Sequence, residues 1–196
     1  MSYHIYTTKS IVLRERPLKE ADRVYTILTR DLGLIRASAT GVRKEVSKLR
    51  SALEPFSLSN ISLVKGKEYW RITSAALLEN LEETLRGQGG LEMLARAFSL
   101  LEKLIRGESA NPKLFDRIFQ VTEFVTNQKL NAKNLEALEI FLVAGILFEL
   151  GYLSETAIPE NLLHKSLSIE LLKGVEKNKK SLVKLINSGI EISGLS

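Results

Sequence analysis

The chain has 196 residues, 44% of them hydrophobic and 26% charged, with no cysteine and a formal net charge of +5, a composition typical of a soluble globular protein. The missing cysteine excludes disulfide bonds and Cys-rich zinc sites, and together with an N-terminus that lacks a secretory pattern it predicts a cytoplasmic location. The longest apolar run, residues 140–148, is far shorter than the roughly 20 residues that a membrane span needs, so we expect no membrane association.

The first part of the chain predicts five short β-strands. Each run is rich in Ile, Val, Leu, Tyr or Thr and is bounded by turn residues. The runs span residues 10–16, 23–30, 34–41, 55–64 and 68–75. Five short strands with strong turns favour a small OB-type barrel, because an open sheet of this size would leave two edges unpaired. We therefore expect an OB-fold domain over residues 1–75.

Residue alternation predicts which side chains of these strands face outward. In the third run Ile35 belongs to an apolar face, and Arg36 lies on the opposite one. In the fourth run the apolar phase changes across residues 59–60, which indicates a bulge or bend. In the fifth run Trp70 shares a face with Ile72 and is assigned to packing.

Beyond residue 75 the apolar period changes from 2 to about 3.6, which predicts an all-helical domain over residues 76–196. Three amphipathic or apolar helices are expected first, and two short ones follow, with a basic loop at residues 177–180 between them. The five segments are residues 94–105, 111–125, 132–150, 167–175 and 181–187. The third is apolar nearly all round in its second half, so it should form the buried centre. The fold class is thus α+β, with an all-β part followed by an all-α part.

Positive charge is concentrated in the first domain. Residues 1–75 hold 14 Lys and Arg against 7 Asp and Glu, giving +7, whereas the remainder holds 14 against 16, giving −2. The densest cluster follows Gly41 and comprises Arg43, Lys44, Lys48 and Arg50. Such a cluster suits a polyanion, because every phosphate that it neutralises releases condensed counterions. A solvated basic loop without a ligand is the alternative.

Other barrel residues are candidates for the same nucleic-acid surface. Tyr69 is the better candidate for stacking on a base, since alternation places it with Arg71 and Thr73, although a role in the core or at the barrel rim stays open. The basic candidates are Arg14, Arg16, Arg36, Lys65, Lys67 and Arg71.

The sequence contains no motif that indicates an enzyme. A phosphate-binding Gly-x-x-x-x-Gly-Lys loop, a nucleophile elbow and a His-Glu-x-x-His helix are all missing. Glu82-Glu83, and the separated Glu20 and Asp22, have no partner base or metal ligand nearby in sequence, so surface or ion-pair roles are favoured. The chain is predicted to be a binding protein with no catalytic residue, metal or cofactor.

Seven short stretches of the first 75 residues form a specific set when taken together. They are Ile11-Val12-Leu13-Arg14, Glu20-Ala21-Asp22-Arg23, Thr29-Arg30-Asp31-Leu32-Gly33-Leu34, Gly41-Val42-Arg43-Lys44, Ser47-Lys48-Leu49-Arg50, Leu53-Glu54-Pro55-Phe56 and Lys65-Gly66-Lys67. The set resembles the N-terminal barrel of the RecO family of bacterial DNA repair and recombination mediators. The helical part is similar in plan as far as Gly151-Tyr152, with much less specific motifs.

The resemblance implies a non-enzymatic protein that binds single- and double-stranded DNA and anneals complementary strands at the nucleoid. It implies that the protein works with RecR, and in some bacteria with RecF, to help load the recombinase RecA onto DNA coated by single-strand-binding protein. Many family members carry a four-cysteine zinc site soon after the position of Gly151. Because this chain has no cysteine, we expect a variant without zinc.

The resemblance also implies that the helical domain receives the C-terminal tail of single-strand-binding protein, which is acidic and ends in apolar residues. Such a peptide needs an apolar groove with a basic rim. The candidates for the rim are Arg96, Lys103, Arg106, Lys113, Arg117, Lys129 and Lys133.

Two other classes of protein stay open. An RNA-binding or ribosome-associated OB-fold protein would use the same basic barrel, and a comparison of DNA with matched RNA would discriminate, because only RNA offers 2′-hydroxyls. A protein-interaction scaffold would carry the basic loop incidentally and would not bind DNA even at low salt.

Overall fold

The computed structural model describes residues 4–44, 47–159, 162 and 166–195. It divides into two compact units. The first comprises Met1–Thr84 together with Gly107–Pro112, and the second comprises Leu85–Arg106 together with Lys113–Ser196.

The first unit contains a closed barrel of five strands. They are β1 (Tyr6–Pro17), β2 (Arg23–Thr29), β3 (Gly33–Ala39), β4 (Ser57–Lys65) and β5 (Trp70–Asn80). The order around the barrel is β1-β2-β3-β5-β4, with β3 and β5 parallel and the other pairs antiparallel. The long strand β1 closes the barrel, because its first half pairs with β4 and its second half with β2. This topology confirms the predicted OB-type barrel.

Side chains of all five strands fill the barrel interior. The core cluster contains Val12, Tyr25, Ile27, Ile35, Ala37, Ala39, Val42, Leu53, Ile61, Leu63, Trp70 and Ile72. Trp70 is 6% exposed, which confirms its assignment to packing. β5 continues to Asn80, so the last barrel strand runs past residue 75, where the sequence placed the domain boundary. The division into folding domains stays a prediction.

The predicted bulge at residues 59–60 of β4 lies in the neighbouring strand instead. The register between β4 and β5 shifts between Leu58 and Ser59, where β5 supplies the extra residue, while the pairing of β4 with β1 continues without a shift. The apolar phase of β4 changes because Ser59 faces inward and is fully buried. Its hydroxyl donates a hydrogen bond of 2.6 Å to the carbonyl of Ala52, which offsets the cost of burying it.

Residues 107–112 also belong to the barrel unit. Nε1 of Trp70 donates a hydrogen bond of 3.1 Å to a carboxylate oxygen of Glu108. Ser109 lies so close to Gly33 that a Cβ atom at residue 33 would overlap its carbonyl oxygen. This segment therefore packs against the barrel wall at two points.

The rest of the described chain is helical. The helices are α1 (Leu81–Thr84), α2 (Gly90–Leu104), α3 (Pro112–Asn127), α4 (Ala132–Glu149), α5 (Ile169–Lys177) and α6 (Lys179–Ser193), with 3-10 turns at Ser51–Leu53 and Glu155–Ala157. None of the described helices is long and apolar enough to cross a membrane.

Helix α4 is the centre of the second unit. It packs against α2, α5 and α6, and buried residues occur on all its sides, as its apolar sequence predicts. The side chain of Asn131 caps its first turn by accepting a hydrogen bond of 2.9 Å from the backbone N–H of Asn134.

The prediction that residues 177–180 form a loop is wrong. α5 ends at Lys177, and α6 begins at Lys179 and extends to Ser193, so Asn178 alone separates the two helices. Lysine is a good helix former, and the Nζ of Lys179 forms an ion pair of 2.5 Å with Glu136. Charge density in the sequence was therefore a poor guide to backbone structure at this position.

One of the predicted rim residues, Arg117, is not on the surface. Its side chain is 12% exposed and that of its partner Glu149 is 10% exposed, with 3.0 Å between Nη2 and Oε1. Nη1 donates to the carbonyl of Leu162 at 3.4 Å, and the guanidinium lies 5.8 Å from the centre of the Phe141 ring. Arg117 is thus a structural residue of the second unit, because a guanidinium so buried is held by its partners.

Candidate nucleic-acid interface

Four exposed arginines share one outer surface of the barrel, and we refer to them as the arginine face. They are Arg14 and Arg16 of β1, Arg36 of β3 and Arg71 of β5. Residues two apart in a strand point to the same side, and paired residues of neighbouring strands lie side by side. Three strands of the barrel, β1, β3 and β5, therefore contribute positive charge to one surface. Strand β2 lies between β1 and β3.

The strand register arranges this face in two rows. In the first row, Arg14 pairs with Thr26 of β2, and Thr26 pairs with Arg36. The second row consists of Arg16, Val24, Ser38 and Arg71. Since neighbouring strands lie about 4.8 Å apart, the backbones at Arg14 and Arg36 are separated by about 10 Å across the sheet. The paired positions of the two rows hold no carboxylate.

The basic loop, which we define as Arg43, Lys44, Lys48 and Arg50, begins directly after β3. All four side chains are exposed. The loop is held against the β1–β2 turn, because Asp22 Oδ1 accepts a hydrogen bond of 2.8 Å from the Gly41 N–H and the carbonyl of Glu20 accepts one of 2.8 Å from Arg43. The second row of the arginine face lies near the same end of the barrel, since β1 ends at Pro17 and β3 at Ala39.

The Asp22 carboxylate therefore has a structural role, whereas Glu20 contributes its backbone carbonyl. Each anchors the basic loop to the turn that precedes β2. A fixed loop loses less conformational entropy on binding than a mobile one would.

The turn between β4 and β5 carries the remaining candidates. Lys65 lies 5.0 Å from the centre of the Trp70 ring, and its Nζ is 4.0 Å from Glu108; Lys67 is exposed. Tyr69 is half-buried in the turn and precedes the first residue of β5. The alternation that placed it beside Arg71 does not apply there, because Gly66 approaches the Tyr69 carbonyl and closes a tight turn. Stacking by Tyr69 stays a prediction.

Two other arginines of the barrel are engaged with acids. Arg23 forms an ion pair of 3.1 Å with Glu15, and Arg30 lies 3.7 Å from Asp31. Among the described residues there is also no group of three or more His, Cys, Asp or Glu placed to hold a metal ion.

The structure adds a feature that sequence spacing did not indicate. A cavity of about 320 Å³ lies at the barrel end beneath the basic loop, and its lining includes Glu15, Tyr25 and Glu54 as well as Arg43 and Arg50. Glu15 and Tyr25 are cross-strand partners in β1 and β2. Only the correct register of these two strands, which the sequence does not specify, would have brought them together.

Residues 1–81 match the protein family described as Recombination protein O N terminal. Several curated relatives are named DNA repair protein RecO. One from Dehalococcoides mccartyi is 35% identical over 145 residues, which is 72% of this chain and 56% of the relative. Others from Synechococcus and Nocardioides are 49% identical over 67 residues and 45% identical over 74, covering 34% and 38% of this chain and 24% and 30% of those relatives.

This chain spans about half the length of the Dehalococcoides relative that it matches. That alignment is longer than the barrel, so it includes part of the helical unit. The barrel topology, the match over the barrel residues and these relatives confirm the family that the seven sequence stretches predicted. This chain therefore carries the N-terminal domain of the RecO family.

Proposed function

We propose that this chain is a non-enzymatic DNA-binding protein of recombinational repair, which binds single- and double-stranded DNA on its barrel and anneals complementary strands. The observation that carries the proposal is the arginine face, four exposed arginines that three barrel strands place in two neighbouring rows. The basic loop begins near the same barrel end and adds four more cations. The name of the relatives, DNA repair protein RecO, supports the assignment to repair.

A basic surface of this kind supports annealing without any bond chemistry. Two single strands repel each other through their phosphates, and a protein that neutralises part of this charge lowers the barrier to encounter. Base pairing then supplies both the sequence specificity and the driving force. The backbone contacts carry no sequence information, so the protein can act on any complementary pair.

Further partners are part of the same proposal. The match to the RecO family supports work with RecR, with RecF in some bacteria, and with RecA, and contact with the C-terminal tail of single-strand-binding protein. Two of the basic residues predicted to bind that tail are already paired with acids. Arg96 forms two hydrogen bonds of 2.6 Å with the Glu139 carboxylate, and the Nζ of Lys133 lies 3.6 Å from Glu176. The exposed rim candidates outside these described pairs are Lys103, Arg106, Lys113 and Lys129.

Strand annealing of complementary oligonucleotides, bare and coated with single-strand-binding protein, tests the proposal. Replacing the four residues of the arginine face by Ala should slow annealing of the bare strands at least about tenfold, since surface fields of this kind raise association rates by 10 to 10³. A matched control removes four exposed lysines from α5 and α6. They are Lys173, Lys177, Lys180 and Lys184.

The control variant should anneal strands at the unaltered rate. An arginine-face variant that is folded and anneals as fast as the unaltered chain would contradict the proposal. Stronger binding to matched RNA than to DNA would favour the RNA-binding class instead, because RNA alone presents 2′-hydroxyls.

A further inference from the structure

The cavity beneath the basic loop is a polar pocket inside an otherwise apolar barrel. Its volume of about 320 Å³ lies at the lower end of the range of about 300 to 1,000 Å³ that is typical of ligand sites. Tyr25 and Val42, both at most 2% exposed, form its deep part. Arg43, Arg50 and Glu54 are exposed and form its mouth.

Tyr25 is the most buried polar residue of the cavity lining. Tyr25 is 1% exposed, and no described residue forms a hydrogen bond with its hydroxyl. Burial raises the pKa of Tyr25 to about 12, Glu15 and Glu54 add to the shift, and Arg23 opposes it. The phenol is therefore protonated at neutral pH and can donate a hydrogen bond to a ligand. The hydroxyl lines the cavity, so a molecule held there can accept its hydrogen bond.

The carboxylates of the cavity decide what can enter. The Glu15 carboxylate is paired with Arg23 at 3.1 Å. At the mouth, Oε2 of Glu54 accepts a hydrogen bond of 3.2 Å from the Asn80 side chain, which leaves Oε1 for a donor from the ligand. Because Arg23 neutralises the charge of Glu15, the Glu54 carboxylate is the acceptor that a ligand meets at the mouth. The guanidiniums of Arg43 and Arg50 at the rim suit a phosphate outside.

We propose that the cavity receives one unstacked base of a DNA single strand whose phosphates lie on the basic loop, and that it prefers cytosine to thymine. This inference rests on the proposed function, since it gives the basic loop a base-selective element. An unstacked base presents its pairing edge to hydrogen-bonding groups and its faces to guanidinium planes. In cytosine, the amino group donates to Glu54 and the adjacent ring nitrogen accepts from Tyr25.

Thymine fits this set of groups less well. Carboxylates are the usual acceptors for the cytosine amino group, which projects from the edge of the ring. The only ring N–H of thymine stands between two carbonyl oxygens, and both repel an approaching carboxylate. The cavity should therefore discriminate between the two pyrimidines even though the phosphate contacts do not.

The test measures the affinity of the full chain for single strands of equal length that consist of cytosine, thymine or abasic nucleotides. The unaltered chain should bind the cytosine strand at least about fivefold more tightly than the thymine strand, and the abasic strand most weakly. Glu54→Gln should abolish the preference for cytosine. Tyr25→Phe, which keeps the packing of the ring, should weaken binding of the cytosine strand several-fold without changing the salt dependence.

Glu68→Gln is the matched control, because it removes one exposed carboxylate of the same unit outside the cavity. It should change the affinities for both pyrimidine strands by the same factor. Equal affinity of the unaltered chain for the three strands, or a cytosine preference that survives Glu54→Gln, would overturn the cavity proposal while leaving DNA binding intact. If none of the strands binds even at low salt, the proposed function itself fails.

Discussion

Replacing Arg117 by Ala is expected to destabilise the helical unit by about 3 to 5 kcal/mol, because removing one partner of a buried ion pair leaves the other charge buried. The Glu149 side chain, only 10% exposed, loses a guanidinium at 3.0 Å. The contact of Arg117 with the Phe141 ring is lost as well. Urea unfolding followed by the circular dichroism of the helices measures the change.

Two further variants separate the buried pair from general effects of charge. Lys133→Ala breaks an exposed pair with Glu176, in which the lysine side chain is 78% exposed, and should cost less than about 1 kcal/mol. The double substitution Arg117→Met with Glu149→Leu should destabilise less than Arg117→Ala, because no charge remains buried. If Arg117→Ala lowers the free energy of unfolding no more than Lys133→Ala does, the buried pair contributes no more to stability than the exposed pair.

Replacing Gly33 by Ala is expected to destabilise the barrel unit by about 3 kcal/mol. The backbone of Gly33 has φ of 76°, a left-handed conformation that costs other residues about 1 to 3 kcal/mol. An added Cβ would also overlap the carbonyl oxygen of Ser109, so residues 107–112 must move away from the barrel. Trp70, the only tryptophan of the chain, hydrogen-bonds to Glu108 in this segment, and its fluorescence reports both the displacement and unfolding in urea.

Gly107→Ala isolates the conformational part of this effect. Gly107 has φ of 81°, and no heavy atom lies within 4 Å of the Cβ position there. This control should cost about 1 kcal/mol without a change in the tryptophan spectrum of the folded protein. Equal losses of stability in the two variants would show that the overlap with Ser109 contributes nothing to the destabilisation by Gly33→Ala.

The barrel could be predicted from sequence because its signals are local. Alternation identified the outer position of Arg36 and the inner positions of Trp70 and Ile72, and turn residues marked the strand ends within a few residues. The bulge was misplaced because the phase change in β4 has another cause, the buried hydroxyl of Ser59 and its bond to Ala52. A single strand does not reveal which partner carries an extra residue.

Features that depend on contacts between distant parts of the chain could not be predicted from the sequence. Arg117 resembles any surface arginine of an amphipathic helix, and only the packing of α3 beside α4 buries it against Glu149. The arginines of the barrel were named one by one, but their order in rows depends on strand register. The cavity depends on the same register, since Glu15 and Tyr25 meet across β1 and β2.

The salt dependence of single-strand binding tests most directly whether the barrel holds DNA. The logarithm of the affinity should fall linearly with the logarithm of salt concentration, and each lost phosphate contact should flatten the slope by up to about 0.7. Ala variants of the arginine face and of the basic loop should each have a flatter slope. The α5 and α6 lysine variant should keep the slope of the unaltered chain. A slope that is unchanged in both folded barrel variants would contradict DNA binding by the barrel.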